Sequence, residues 1–168
     1  NRELSLGFLA ISRALPVKDR RLVGPWCFLD RFGPLTFSDA KPMDVAPHPH
    51  IGLQTVTWLL QGEVVHDDSL SYQSILRPGG VNVMTSGGGI SHAEQTPHDN
   101  TGRLNGVQLC VALPDVHRHM PASFEQVTEV PTLELQGGAA RVFAGTLHGE
   151  TSPAAHFSEL LGADVQVH

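Results

Sequence analysis

The chain has 168 residues, with 11 Lys and Arg against 17 Asp and Glu, a formal net charge of −6. Length points to one domain or slightly more, and 40% hydrophobic residues can bury a real core. The mild acidity and scattered basic residues argue against direct nucleic-acid binding. No apolar run approaches the ~20 residues of a membrane helix, and the first residues do not read as a signal peptide.

Charged residues make up 17%, below the ~25% of an average domain. With 17 Gly and 12 Pro, the profile suits short strands joined by tight turns. Cys27 and Cys110 sit outside any CxxC pair and among apolar neighbours. They read as buried free thiols in a reducing, cytoplasmic setting. The densest basic group, Arg13, Lys18, Arg20 and Arg21, reads as a solvated loop. Asn1 is not an initiator Met, and Ala163 to His168 alternates like a strand and then stops. We expect a piece of a longer chain.

Along the chain, His48-Pro49-His50 opens a strand that runs on through Gly52 to Leu60. That strand is apolar on both faces at its end and reads as central in its sheet. Gln61-Gly62-Glu63 is a turn. Val64 to Asp67 and Tyr72 to Leu76 follow as strands. Arg77-Pro78-Gly79-Gly80 is a strong turn signal, and Val81 to Thr85 is the next strand. Ser86 to Gly89 is a loop that reads as a flexible turn bringing His92 to the site. Ile90 to Glu94 is short and extended. Gly106 to Leu113 alternates, with Val107, Leu109, Val111 and Leu113 on one face. Ala139 to Gly145 is a further strand, and Ser158 to Leu161 is a stretch of helical character too short to form a helix. The spacing predicts an all-β sandwich or barrel.

The 10 histidines are the informative oddity. His48 and His50 at i,i+2 on a strand share one face, with Cα atoms ~6.5–7 Å apart. Their imidazoles can converge on one metal ion. His92 and Glu94 repeat that spacing. Facing each other inside a barrel, the two pairs offer three imidazoles and one carboxylate. That donor set suits Fe(II), Mn, Ni, Cu or Zn and leaves open positions for catalysis. The residues alone keep a second reading open, a metal-free barrel with a fortuitous histidine cluster.

The other histidines form no such pattern. His66, before Asp67-Asp68, reads as a surface residue, with a place near the pocket as the alternative. His117 and His119 read as an exposed loop, and His98, His148, His156 and His168 lie near loops or ends. Adjacent Asp67 and Asp68 point to opposite faces of a strand. Ser86 to Gly89 lacks the Lys and strand-to-helix setting of a phosphate loop, and no GxSxG elbow supports a serine hydrolase.

The run from Pro47 to Thr96, with HPHIG at one end and GGGISHAE at the other, resembles the pirins, which belong to the cupin superfamily. Ser12 to Pro16, Gly24 to Asp30, and Phe143 to Gly145 leading into Thr151 to Pro153 carry the resemblance further. It implies a cupin barrel of the double-stranded β-helix or jelly-roll type over residues 1–150. Residues 151–168 would begin a second, incomplete cupin domain. It implies one divalent transition metal, most commonly Fe(II), held by His48, His50, His92 and Glu94. In a dioxygenase, Glu94 would also serve as the catalytic base. It implies two activities: dioxygenase cleavage of flavonols such as quercetin, or metal- and redox-sensitive regulation through binding to other proteins. The chain departs from the usual pirin pattern at Gly80, Val83, Gly88, Asn105 and Cys110, which bear on pocket shape and charge rather than on the ligands.

Overall fold

Strand-forming runs separated by glycine turns organise the described chain. The computed structural model describes residues 2–6, 9–37 and 43–168. In chain order the strands are β1 (Arg2–Leu6), β2 (Leu9–Leu15), β3 (Trp26–Thr36), β4 (Asp44–His50), β5 (Leu53–Gln61), β6 (Val64–Asp68), β7 (Gln73–Leu76) and β8 (Val81–Thr85). They continue as β9 (Ile90–Gln95), β10 (Arg103–Ala112), β11 (Ser123–Val127), β12 (Thr132–Leu135), β13 (Gly138–Leu147), β14 (Glu150–Thr151) and β15 (Leu161–Val167). No helix occurs among the described residues. Ser158 to Leu160 is irregular and Leu161 enters β15, because a single turn cannot offset the cost of helix nucleation.

A seven-stranded sheet, β1-β2-β3-β10-β5-β8-β11, forms one wall of a barrel, and a four-stranded sheet, β4-β9-β6-β7, forms the other. The middle of the large sheet, around β5, β8 and β10, is buried on both faces. Its inner face contributes Leu59 to a cluster with Leu9, Ile11, Phe32, Val64, Leu76 and Leu104. Its outer face sets Val56, Trp58, Leu109 and Val111 against Phe143 and Ala144 of β13. Trp58 and Phe143 stack at 5.2 Å. Double burial explains why β5 is apolar on both faces and confirms its central place. In β10 the alternation separates Val107, Leu109 and Val111 from Gln108 and Cys110, which line the barrel interior. β13 also pairs with β12 and β15 in a further sheet.

The expected continuous strand through Gly52 is two strands. Gly52 has φ +69°, a left-handed conformation that L side chains rarely adopt. There the chain leaves β4 in the small sheet and enters β5 in the large one. Among the described residues β4 lies on the sheet edge and pairs only with β9, a place where Pro47 and Pro49 are tolerated.

The loop Ser86 to Gly89 is not the flexible turn expected of it. Ser86 is fully buried and its hydroxyl donates to the Leu53 carbonyl at 2.5 Å. Gly52 N–H donates to the Gly87 carbonyl at 2.9 Å, and Gly88 N–H to the Met120 carbonyl at 3.0 Å. Gly87 has φ +47°, and a Cβ there would collide with the Met120 carbonyl. The loop is a fixed corner that delivers β9.

Candidate metal centre

β4 and β9 run antiparallel with His48 directly opposite His92. His50, two residues on, shares the face of His48. Ring centroids lie 4.8 Å apart for His48 and His50, 4.5 Å for His48 and His92, and 5.0 Å for His50 and His92. One ring nitrogen from each falls within 4.8 Å of the others. His48 Nδ1 donates to the Ala46 carbonyl at 2.9 Å, which leaves Nε2 as the free donor atom. Buried His92 has an Nε2 with no hydrogen-bond partner. An orphaned buried nitrogen is what a metal site without its metal presents, and three imidazoles suit a divalent transition ion.

Burial, with His48, His50 and His66 close by, pushes the His92 pKa down to about 3. Burial, and then His48, lowers that of His50. Neutral imidazoles are the form that binds metal.

Glu94 is buried two residues beyond His92 and lines the same cavity, but stands outside the three-histidine group. Burial pushes its carboxyl up to about 7, opposed by the Thr57 hydroxyl. Thr57 Oγ1 lies 2.9 Å from Gln108 Oε1 and 3.4 Å from Glu94 Oε1. With one proton to give, it favours the nearer acceptor, so Glu94 is incompletely stabilised as an anion.

The site opens into a cavity of about 760 Å³. Its wall is mainly apolar, with Leu9, Ile11, Phe32, Met43 and Leu53. Polar groups enter from the large sheet. Arg13 makes two 2.8 Å hydrogen bonds to buried Asp30 and sits 4.5 Å over the Phe28 ring. Arg13 therefore belongs to a strand and to this cavity, not to the solvated loop expected of it, because Asp30 on β3 gives its charge a partner. Lys18, Arg20 and Arg21 are exposed. Cys27 and Cys110 are free and line the cavity, Cys27 only partly buried. Burial raises both thiols, Cys110 to about 12, so neither is an activated nucleophile.

His66 is the residue that sequence reasoning misplaced. It is buried, 3.4 Å from His92 through the two Nδ1 atoms, and bonded to Asp68 at 2.9 Å. Its ring stacks on Phe124 at 4.1 Å and 12°. The available signal was spacing: His66 and Asp68 repeat the i,i+2 rule on β6, which pairs with β9 so that Asp68 faces His92. His117 and His119 lie in the exposed segment expected of them, His117 against Phe157. His156 is half-buried, its Nδ1 3.4 Å from Gln54 Oε1.

Comparison with known proteins agrees with this architecture. A Caulobacter vibrioides pirin-like protein is 40% identical over 95% of this chain and 58% of its own length. A Pseudomonas aeruginosa protein provisionally named a quercetin 2,3-dioxygenase is 43% identical over 96% of this chain and 51% of its own. The chain thus spans between half and three-fifths of these curated relatives. The crystal structure of a quercetin 2,3-dioxygenase from Acinetobacter baumannii superposes with a TM-score of 0.95 at 42% identity, over 99% of this chain and 56% of that one. The pirin family model matches residues 9–111, the stretch that builds β2 to β10 and carries all three converging imidazoles, and so the chain belongs to the pirin family, with the cupin fold.

Proposed function

We propose that this chain carries the metal centre of a dioxygenase that opens a flavonol-like aromatic ring, quercetin being the test substrate. The observation that carries the reading is the convergence of His48, His50 and His92 on a mainly apolar cavity of about 760 Å³. That volume lies in the range of small-molecule sites. The 42–43% identity to proteins bearing quercetin 2,3-dioxygenase names supports it.

In this reading His48, His50 and His92 hold one divalent ion, Fe(II) in the working enzyme, with Mn, Ni, Cu or Zn able to occupy the same donor set. Glu94 is the fourth ligand and the catalytic base. When bound, the ion supplies Lewis acidity at a substrate oxygen and a place for dioxygen. The chain's own groups do the rest. The apolar wall excludes water and packs a flat ring. Glu94, poised near neutrality, accepts the proton of the substrate hydroxyl. The free thiols Cys27 and Cys110 suit a reducing, cytoplasmic setting. Residues 151–168 stand as the opening of a second cupin domain.

The regulatory alternative, a redox-sensitive binder of other proteins, requires a segment near the site, such as the Ser86 to Gly89 loop, to follow the metal's oxidation state. The hydrogen bonds that fix that loop give it no support. Oxygen uptake by the Fe(II)-loaded protein with quercetin, beside metal analysis and a His92→Ala control, tests the enzymatic reading. Quercetin-dependent uptake with carbon monoxide release, absent in the control, is the expected result. Bound iron without uptake returns the weight to regulation.

A further inference from the structure

We propose that Asp68 and His66 form a positioning pair that fixes the tautomer of His92 and aims its unprotonated Nε2 at the metal. The inference rests on the metal-centre reading and deepens it, since neither residue belongs to the proposed ligand set.

The Asp68 side chain is fully buried. Its Oδ1 accepts the backbone N–H groups of Leu70 at 2.8 Å and Tyr72 at 3.2 Å. Its Oδ2 lies 2.9 Å from His66 Nε2. A carboxylate only accepts, so the proton between them sits on His66 Nε2. A neutral imidazole with Nε2 protonated carries its lone pair on Nδ1. His66 Nδ1 faces His92 Nδ1 at 3.4 Å. That contact is satisfied when His92 donates from Nδ1, which leaves the His92 lone pair on Nε2. Nε2 is the atom found buried and without a partner.

Two features hold the pair in place. The turn from Asp68 to Tyr72 closes on the carboxylate, with Ser71 N–H also donating to the Asp68 carbonyl at 3.0 Å. Phe124 covers one face of His66 at 4.1 Å. His66 therefore cannot swing away without breaking a buried charge-assisted bond and a ring stack. Free histidine favours the tautomer protonated on Nε2, which blocks that atom as a ligand. A carboxylate–histidine pair behind His92 reverses the preference before any metal arrives, as partners behind metal-bound histidines do in general.

Two variants and one spectrum test this. His66→Phe keeps an aromatic ring against Phe124 but removes the acceptor for His92. His66→Gln loses the ring but keeps an acceptor for His92 and a donor for Asp68. Co(II) affinity, read by competition with a chromophoric chelator, should fall ~10–100-fold in His66→Phe and stay close to wild type in His66→Gln. A packing role for His66 predicts the reverse order, and that order overturns the proposal. Long-range ¹H–¹⁵N correlation on the metal-free wild type should show His92 protonated on Nδ1 and bare on Nε2. A His92 carrying its proton on Nε2 also overturns it, whether or not the Phe variant folds. A wild type that takes up no Co(II) defeats the metal-centre reading, and the spectrum still decides the tautomer.

Discussion

His48 stands across the β4–β9 pair from His92, their ring centroids 4.5 Å apart. Antiparallel register alone brings together two histidines more than forty positions apart in sequence, and the i,i+2 rule adds His50. Replacing any one of the three with Ala removes a third of the imidazole set. Metal affinity should fall by more than the ~10–100-fold typical of losing an outer partner. Equilibrium dialysis with elemental analysis measures this, and retention of one metal per chain in His92→Ala would refute the assignment.

Acid should weaken the metal-free fold through His92. Its pKa is about 3 in the fold against 6.5 unfolded. Between these values the unfolded chain binds more protons, so stability present above pH 6.5 is lost as pH falls toward 3. In urea melts, His92→Phe should flatten the acid limb relative to wild type. An unchanged acid limb counts against a buried neutral His92.

Glu94 acts with the opposite sign. Its carboxyl stands at about 7 in the fold against 4.5 unfolded, so the folded chain holds the extra proton between these values. Stability is lost as pH rises from 4.5 to 7. Metal-free Glu94→Gln should therefore be more stable than wild type above pH 7, by up to roughly 3 kcal/mol. It should also lose oxygen uptake while keeping some metal. Full turnover in that variant removes the base role.

Arg13 and Asp30 should respond unequally. The Arg13 side chain is 27% exposed and that of Asp30 only 7%. Arg13→Met strands a buried carboxylate and should cost about 3 kcal/mol, whereas Asp30→Asn leaves a partly solvated guanidinium and should cost less. Chemical denaturation of both variants checks the order. Equal losses would mean that the desolvated carboxylate is not the controlling group.

Gly87→Ala should destabilise by at least ~1 kcal/mol, since the new Cβ meets the Met120 carbonyl in a backbone conformation unsuited to L residues. It should also weaken metal binding, because the corner it occupies sets the start of β9. A variant with wild-type melting temperature and metal affinity would show that the corner yields freely.

The strands from Leu53 to Leu113 were legible because β-branched runs and glycine turns speak at short range. The convergence of His48, His50 and His92, with Glu94 lining the same cavity, was legible because the strand period places each pair on one face. His66 was not. Its neighbours Asp67 and Asp68 look like a solvated face, and nothing local reveals that β6 lies beside β9. The division at Gly52 was missed for a similar reason: one glycine can bend a strand or transfer it to another sheet, and only the partner strands decide which. Arg13 was misread because its partner, Asp30, lies on the next strand.

The two histidines on β4 ride on a strand that, among the described residues, is hydrogen-bonded to a neighbour on one side only. His92 sits in the interior of the same sheet, backed by β6. Peeling β4 from β9 would take away two of the three imidazoles and leave the barrel's main wall and the outer apolar cluster intact, drawing only Val45 and its neighbour Met43 away from the inner one. An ion held by these imidazoles would exchange at a rate set by a local opening rather than by the stability of the whole fold. Hydrogen exchange at the amides of His48 and His50 becomes a direct clock for how long an ion stays.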